Sequence, residues 1–254
     1  MGTSGYKSNV TGFSIGTQFE YLDDLRFGLS TRNTIEKIEV DSSASAKQKK
    51  QDGNYFDSFI GLNFFYDKRN QKYQTTSGFF SNYDVSMPIL SDTNTLTNNY
   101  NYKIFKELYE NNVSTFAFSL RGASSLSGDD IKLSERLYIP GRKLRGFESG
   151  KIGPKDGSDF IGGNYVSTIN ATTTIPKILE NVQSVDIVLF ADAANLWGVD
   201  YDSSLDKSGI RSSVGVGLDW LTPVGPLTFS FAQPITKEST DIEETFRFNI
   251  GTSF

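Results

Sequence analysis

The chain has 254 residues, 37% of them hydrophobic and 22% charged, and a formal net charge of -5. It contains no cysteine and no histidine. Disulfide frameworks, thiolate chemistry, Ser-His-Asp triads and histidine-bearing metal sites are therefore excluded, and the acidic balance argues against a nucleic-acid partner, which would need a basic face.

Hydrophobic content lies below the roughly 45–50% of an ordinary globular chain. Phe (20) and Tyr (12) are plentiful nonetheless. That mix is poor for a two-layer core and suits a barrel in which each strand has one apolar and one wet face. No run approaches the ~20 apolar residues of a membrane helix. The best candidate, Val185 to Trp197, is interrupted by Asp192 and Asn195.

From Gly12 to Leu22, Phe13, Ile15, Phe19 and Tyr21 alternate with Ser14, Gly16, Gln18 and Glu20, the period of two of a half-exposed strand. Asp23-Asp24 makes a tight turn, and Leu25, Phe27 and Leu29 begin a second strand reaching about Val40. After a polar loop, Asp41 to Asn54, a third strand sets Phe56, Ile60, Leu62, Phe64 and Tyr66 against Asp57, Gly61, Asn63 and Asp67. Gly78–Pro88, Asn98–Tyr109 and Val113–Leu126 give three more. A long polar segment, 127–163, precedes a seventh strand that opens at Gly162-Gly163-Asn164 and ends near Ile175-Pro176, with Thr168, Asn170, Thr172 and Thr174 on its polar face. The eighth, Val182–Ala194, sets Val185, Ile187 and Leu189 opposite Asp186, Phe190 and Asp192. Arg211–Trp220, a strand from about Leu227, and Glu243–Phe254 complete about eleven. Short turns at Leu22–Asp24, Glu110–Asn112, Pro176–Asn181 and Leu221–Pro226 alternate with longer loops, an outer-membrane habit that the long Asp67–Ser77 turn breaks.

The segment 127–163 is too long for a passive connection. Its centre, Leu144-Arg145-Gly146-Phe147-Glu148-Ser149 through Lys155, places an arginine beside a glycine and an aromatic, with Ile152 and Phe160 following. This stretch resembles the sixth extracellular loop of the BamA-like family of outer-membrane assembly factors. Three further stretches carry the resemblance: Tyr66-Asp67-Lys68-Arg69-Asn70 with Thr76-Ser77-Gly78, Trp220-Leu221-Thr222-Pro223-Val224-Gly225-Pro226-Leu227, and Phe231-Ala232-Gln233-Pro234 followed by Phe248-Asn249-Ile250-Gly251. Asn70 and Thr75 depart from the family pattern, which often has Asp and Pro there.

The resemblance implies an all-β, antiparallel transmembrane barrel of roughly sixteen strands, with residues 1–254 forming its C-terminal portion. Met1 to Val10 is polar and lacks the apolar core of a signal peptide, so a signal peptide, POTRA domains and the first strands are expected to lie outside the chain. The family's arginine docks on the inner wall. Here that would be Arg145 with Leu144, Gly146 and Phe147, facing Asp192 on the eighth strand and Thr172 where the family commonly has a glutamate. Phe246, Phe248, Ile250 and terminal Phe254 resemble a barrel sorting signal and form half of a gate, with Gly251 as either a hinge or a small residue making room for a neighbour. The implied function is insertion of nascent outer-membrane proteins at a lateral seam, without catalysis, cofactor or metal. Implied partners are nascent outer-membrane proteins, assembly-complex lipoproteins, the bilayer and lipopolysaccharide, in the outer membrane of a Gram-negative bacterium. A TamA-like or two-partner-secretion translocator shares the arginine loop, and a passive porin shares the polar lumen. An outer-membrane hydrolase would need a serine with a base, which the absence of histidine disfavours. Parity points Phe13, Phe64, Phe118, Leu189, Val216 and Phe248 at lipid. Ser14, Asn63, Ser119 and Asn249 are expected on the wet face, tolerant of charge.

Overall fold

The computed structural model describes residues 5–72, 74–109, 112–175, 185–222 and 225–251. Eleven strands form one antiparallel sheet: β1 (Tyr6–Leu22), β2 (Leu25–Val40), β3 (Gly53–Asp67), β4 (Gly78–Ser91), β5 (Thr95–Tyr109), β6 (Asn112–Ser125), β7 (Tyr165–Thr174), β8 (Val185–Trp197), β9 (Arg211–Thr222), β10 (Gly225–Thr236) and β11 (Phe246–Ile250). Each pairs with its neighbours in sequence, and β1 and β11 are the two edges. The all-β expectation holds. The expected turn at Pro176–Asn181, most of that at Glu110–Asn112, Pro223 and Val224 of that at Leu221–Pro226, and Phe254 lie outside the described residues.

Register turns the period-two pattern into two surfaces. Phe19, Phe27 and Phe64 stand opposite one another across β1–β3, with ring centroids 5.5 and 5.2 Å apart. Phe231 and Phe229 likewise face Phe246 and Phe248 at 4.8 Å. Between them, Phe118, Ile169, Ala193 and Ser212 follow one cross-strand line, and Leu189 and Val216 another. Such cross-strand aromatic and β-branched pairs are the unit of sheet stabilisation. Phe13, Phe64, Leu189, Val216 and Phe248 are exposed and Phe118 half-buried, together giving an apolar band on the convex face.

Of the four register irregularities among the described strands, two fall beside prolines. Register shifts between Ser58 and Phe59 opposite β4, and between Ser212 and Ser213 opposite β10. In each case the additional residue, Ile89 or Ile235, directly follows a proline, which cannot donate to a ladder and is tolerated at such irregularities.

The sheet curls round the segment joining β6 to β7. Ile131, Leu137, Ile139, Leu144, Phe147 and Ile152 from this loop pack on Ala123, Val166, Ala194 and Leu196 of the inner wall. Burying an aliphatic or aromatic side chain of this size stabilises by about 1.5–3 kcal/mol, so the loop brings its own core into the lumen. The loop before β3 holds a short helix, α1 (Ala46–Lys49), that the polar sequence did not announce as helical. Ser45 and Gln48 form its capping box, and Gln51 just beyond it accepts from the Leu133 N–H at 2.7 Å.

Two expectations change. Ser119, level with the buried Thr168, is only 3% exposed, so it is not a tolerant wet-face position. The last strand is shorter than expected: Glu243-Glu244 leave the sheet and pair with Gly146-Phe147 of the loop.

In a bilayer, arginine at Leu189 or Val216 should cost about 2–4 kcal/mol near mid-membrane, whereas at Ser14 or Asn249 the cost should fall to roughly 1 kcal/mol or less. Urea unfolding of the four variants from lipid vesicles measures this. Equal losses on both faces would contradict the assignment of faces.

Candidate functional site: the lumen-docked loop

Arg145 sits where the loop meets the inner faces of β7, β8 and β9. A turn closed by Lys143 N–H to Pro140 C=O (2.8 Å) delivers it. Gly146 follows at φ +92°, a conformation that costs a residue with a Cβ. A Cβ there would also lie 3.2 and 3.3 Å from the Cβ atoms of Ala232 and Ser213. Leu144 and Phe147 are buried on either side, so an apolar–arginine–glycine–aromatic order puts the charge between two anchors.

The guanidinium meets Asp192 as a fork. Nε donates to Oδ2 at 2.7 Å and Nη2 to Oδ1 at 2.8 Å, while the Arg145 backbone N–H also donates to Oδ2 at 3.1 Å. The Asp192 side chain is fully buried and that of Arg145 is 15% exposed. The guanidinium carbon lies 3.5 Å from the centroid of Phe190, which shares the inward face of β8. Bidentate geometry and an aromatic floor are what distinguish arginine from lysine at such a site.

Three neighbours complete the site, and the sequence did not single them out as its members. Asn170, directly opposite Asp192 in register, donates to Asp192 Oδ1 and to the Lys143 carbonyl, both at 2.8 Å. Ser213, opposite Asp192 on the other side, donates to the Arg145 carbonyl. Phe190 supplies the ring. Strand parity had put Asn170 and Phe190 on the inner face; the missing information was register, which decides which inner residues are level. Thr172 lies one inward position away from Asn170, facing Phe190 in register and bonded to Thr115 rather than to Arg145. The neutral partner of the carboxylate is therefore Asn170, a correction to the expected Thr172.

Two further buried ion clusters hold the same loop. Lys132 reaches Asp57 on β3 at 2.5 Å, Glu36 on β2 at 2.8 Å and Glu135 at 3.5 Å, with its side chain 3% exposed. Burial pushes its ammonium down, but the carboxylates around it prevail and its pKa is raised. Burial pushes the Glu135 carboxyl up, against the pull of Lys132. At the opposite end, Arg211 of β9 pairs with Asp241 (Nε–Oδ2 2.9 Å, Nη2–Oδ1 3.2 Å), both side chains being fully buried. Asp241 also accepts from the Gly153 N–H of the loop at 3.2 Å.

On the terminal strand, Phe246, Phe248 and Ile250 are exposed on the convex face. Gly251 has φ +112°, and among the described residues a Cβ there would meet nothing within 4 Å.

Removing one member of a desolvated pair leaves a buried charge, at a cost of about 3–5 kcal/mol. Arg145→Ala and Asp192→Ala should each destabilise the intact protein, and the double variant should lose at least about 1 kcal/mol less than their sum. A double-mutant cycle by urea unfolding measures the coupling; strictly additive losses would show that the pair does not act as a unit.

This open, curled sheet with a loop inside it has close counterparts. The chain is 31% identical over 174 residues to the outer membrane protein assembly factor BamA of Neisseria meningitidis serogroup B, covering 55% of this chain and 22% of that protein. It is 24% identical over 257 residues to the BamA of Neorickettsia risticii, covering 98% of this chain and 34% of that one. The chain thus spans about a third or less of these relatives. Its fold matches the crystal structure of BamA from Haemophilus ducreyi lacking POTRA domains 1-3, with a TM-score of 0.87 at 23% identity over 96% of this chain and 54% of that one. These likenesses identify a C-terminal BamA-like barrel region and place it in the outer membrane of a Gram-negative bacterium. The Omp85 superfamily domain matches residues 2–254, and the chain therefore belongs to that superfamily.

Proposed function

We propose that this chain is the seam-bearing wall of an outer-membrane protein assembly factor. The observation that carries this reading is the state of the last strand. Among the described residues, β11 pairs with β10 over five, Phe246 to Ile250, whereas β9 and β10 match from Ser212 to Thr222. A short, weakly held edge strand is a template for another chain, because its unpaired N–H and C=O groups can accept a guest strand of any side-chain sequence.

The remaining features support the same reading. The apolar band provides the lipid contact, and the polar concave face carries Gln18, Asn63, Asn82, Asp84 and Asn99 in a continuous hydrogen-bonded array. The docked loop fixes the inner wall while the edge strand changes partner. Gly251, at its positive φ, is the hinge at which the end of β11 turns inward. Phe246, Phe248 and Ile250, with Phe254, serve both as gate and as sorting signal. The work is exchange of strand pairing, and it calls for no cofactor, metal or catalytic group. Nascent outer-membrane proteins are the clients, with assembly lipoproteins and lipopolysaccharide as the surrounding partners.

The test uses the intact protein containing this chain, placed in phosphatidylcholine vesicles with an unfolded eight-stranded barrel protein as client. Wild-type protein should speed client folding at least tenfold over empty vesicles, and Gly251→Val should lose most of that gain while its own barrel stays folded. No acceleration by the wild type, together with large, steady single-channel conductance, would replace the assembly reading with a passive pore.

A further inference from the structure

The sheet pairing of β11 stops abruptly, and a single residue on β10 explains where. With Phe231 opposite Phe246, the next residues along are Ala232 and Thr245, and the Ala232 N–H donates to the Thr245 carbonyl at 2.8 Å. Hydrogen-bonded positions recur every second residue along an antiparallel edge. The next donor on that edge of β10 would be residue 234, opposite Glu243. It is Pro234, which has no N–H.

The chain before Thr245 is satisfied by the loop instead. The Ile242 N–H donates to the Lys151 carbonyl at 3.0 Å, and the Glu148 N–H donates to the Ile242 carbonyl at 2.8 Å. Glu243 and Glu244 pair with Phe147 and Gly146. Arg247 of β11 donates to the Phe147 carbonyl and to Glu244. Asp241, at the start of the segment, is fixed by Arg211 and by the Gly153 N–H. Pro234 lies beside the loop: a Cβ on Gly146 would come within 3.5 Å of Pro234 Cδ.

We propose that Pro234 is a pairing stop and that Arg211, Asp241 and the 146–151 segment form a latch on the seam strand. Pro234 and the Arg211–Asp241 pair are positioning residues: they set how much of the last strand belongs to the sheet. While the latch is closed, residues Asp241–Glu244 belong to the loop and, among the described residues, the seam edge begins only with β11. Release adds these four residues to the edge that a guest strand meets. This role at the seam rests on the assembly reading, whereas the pairing stop does not. It also gives the Phe231-Ala232-Gln233-Pro234 stretch a physical task, an aromatic position for lipid and a proline that ends the ladder.

The chain has no cysteine of its own, so an engineered pair reports cleanly. Glu148→Cys with Ile242→Cys places thiols on facing residues of the loop–segment ladder, within the separation a disulfide spans. In the intact, vesicle-embedded protein this pair should oxidise readily. Adding Pro234→Ala, which restores the missing donor, should lower the cross-linked fraction at least threefold, with heat-modifiable gel mobility showing a folded barrel. An unchanged fraction in the folded Pro234→Ala protein would overturn the pairing stop, whatever the activity. With the disulfide closed, client insertion should fall at least tenfold and return on reduction. Full activity with the disulfide closed would overturn the latch's role at the seam. If the reduced protein inserts no client at all, the assembly reading fails, and the cross-link yields still decide the pairing stop.

Discussion

The bidentate contact between Arg145 and Asp192 is the constraint on which the rest of this architecture depends. A carboxylate with no solvent exposure on the inner wall requires a cation, and here the buried arginine of the neighbouring wall strand, Arg211, is already engaged by Asp241. The cation therefore comes from the segment joining β6 to β7, and a segment that must deliver it has to fold inside the sheet. Phe190 beneath the guanidinium, Asn170 on the second carboxylate oxygen and Ser213 on the arginine's carbonyl then follow as the groups that satisfy what the pair leaves open.

One ion pair holds a point, not a plane. The loop is oriented because three buried clusters hold it at separate places: Lys132 against β2 and β3, Arg145 against β8, and Gly153 through Asp241 against Arg211 of β9. Between them lies the apolar core built on Leu144, Phe147 and Ile152. Breaking a buried pair costs more than making it contributes. Such clusters thus do more to prevent alternative placements than to add net stability. Hydrophobic packing provides the bulk of the attachment, and the ion pairs set its geometry.

Much of this was legible in the sequence, for a definite reason. Alternation of Phe and Tyr with Ser, Asn and Gly marks each strand and both of its faces, since side chains alternate whatever the register. Arg145 and Asp192 could be associated through the resemblance, and Phe147 and Ile152 marked the loop as one that packs. Register was not legible, because a shift of two residues preserves every face. Thr172 came in through the family's glutamate position, which does not fix which residue is level with Asp192, and Ser119 through strand parity, which marks a face without marking its burial. The short β11 was missed for a different reason. Its own sequence alternates up to the end, and the information that stops its pairing lies on another strand, in the imino group of Pro234.

The account stands or falls on the loop being part of the folded interior. Amide hydrogen exchange of the membrane-embedded intact protein tests this most directly. The account predicts that the amides of Leu137, Arg145, Glu148 and Ile161, all bonded to backbone or carboxylate partners, exchange as slowly as those of β7 and β8. Arg145→Ala should speed exchange at Glu148 while leaving the strands protected. Rapid exchange across 137–161 in the wild-type protein, with the strands protected, would show a loop resting loosely in the lumen and would contradict the account.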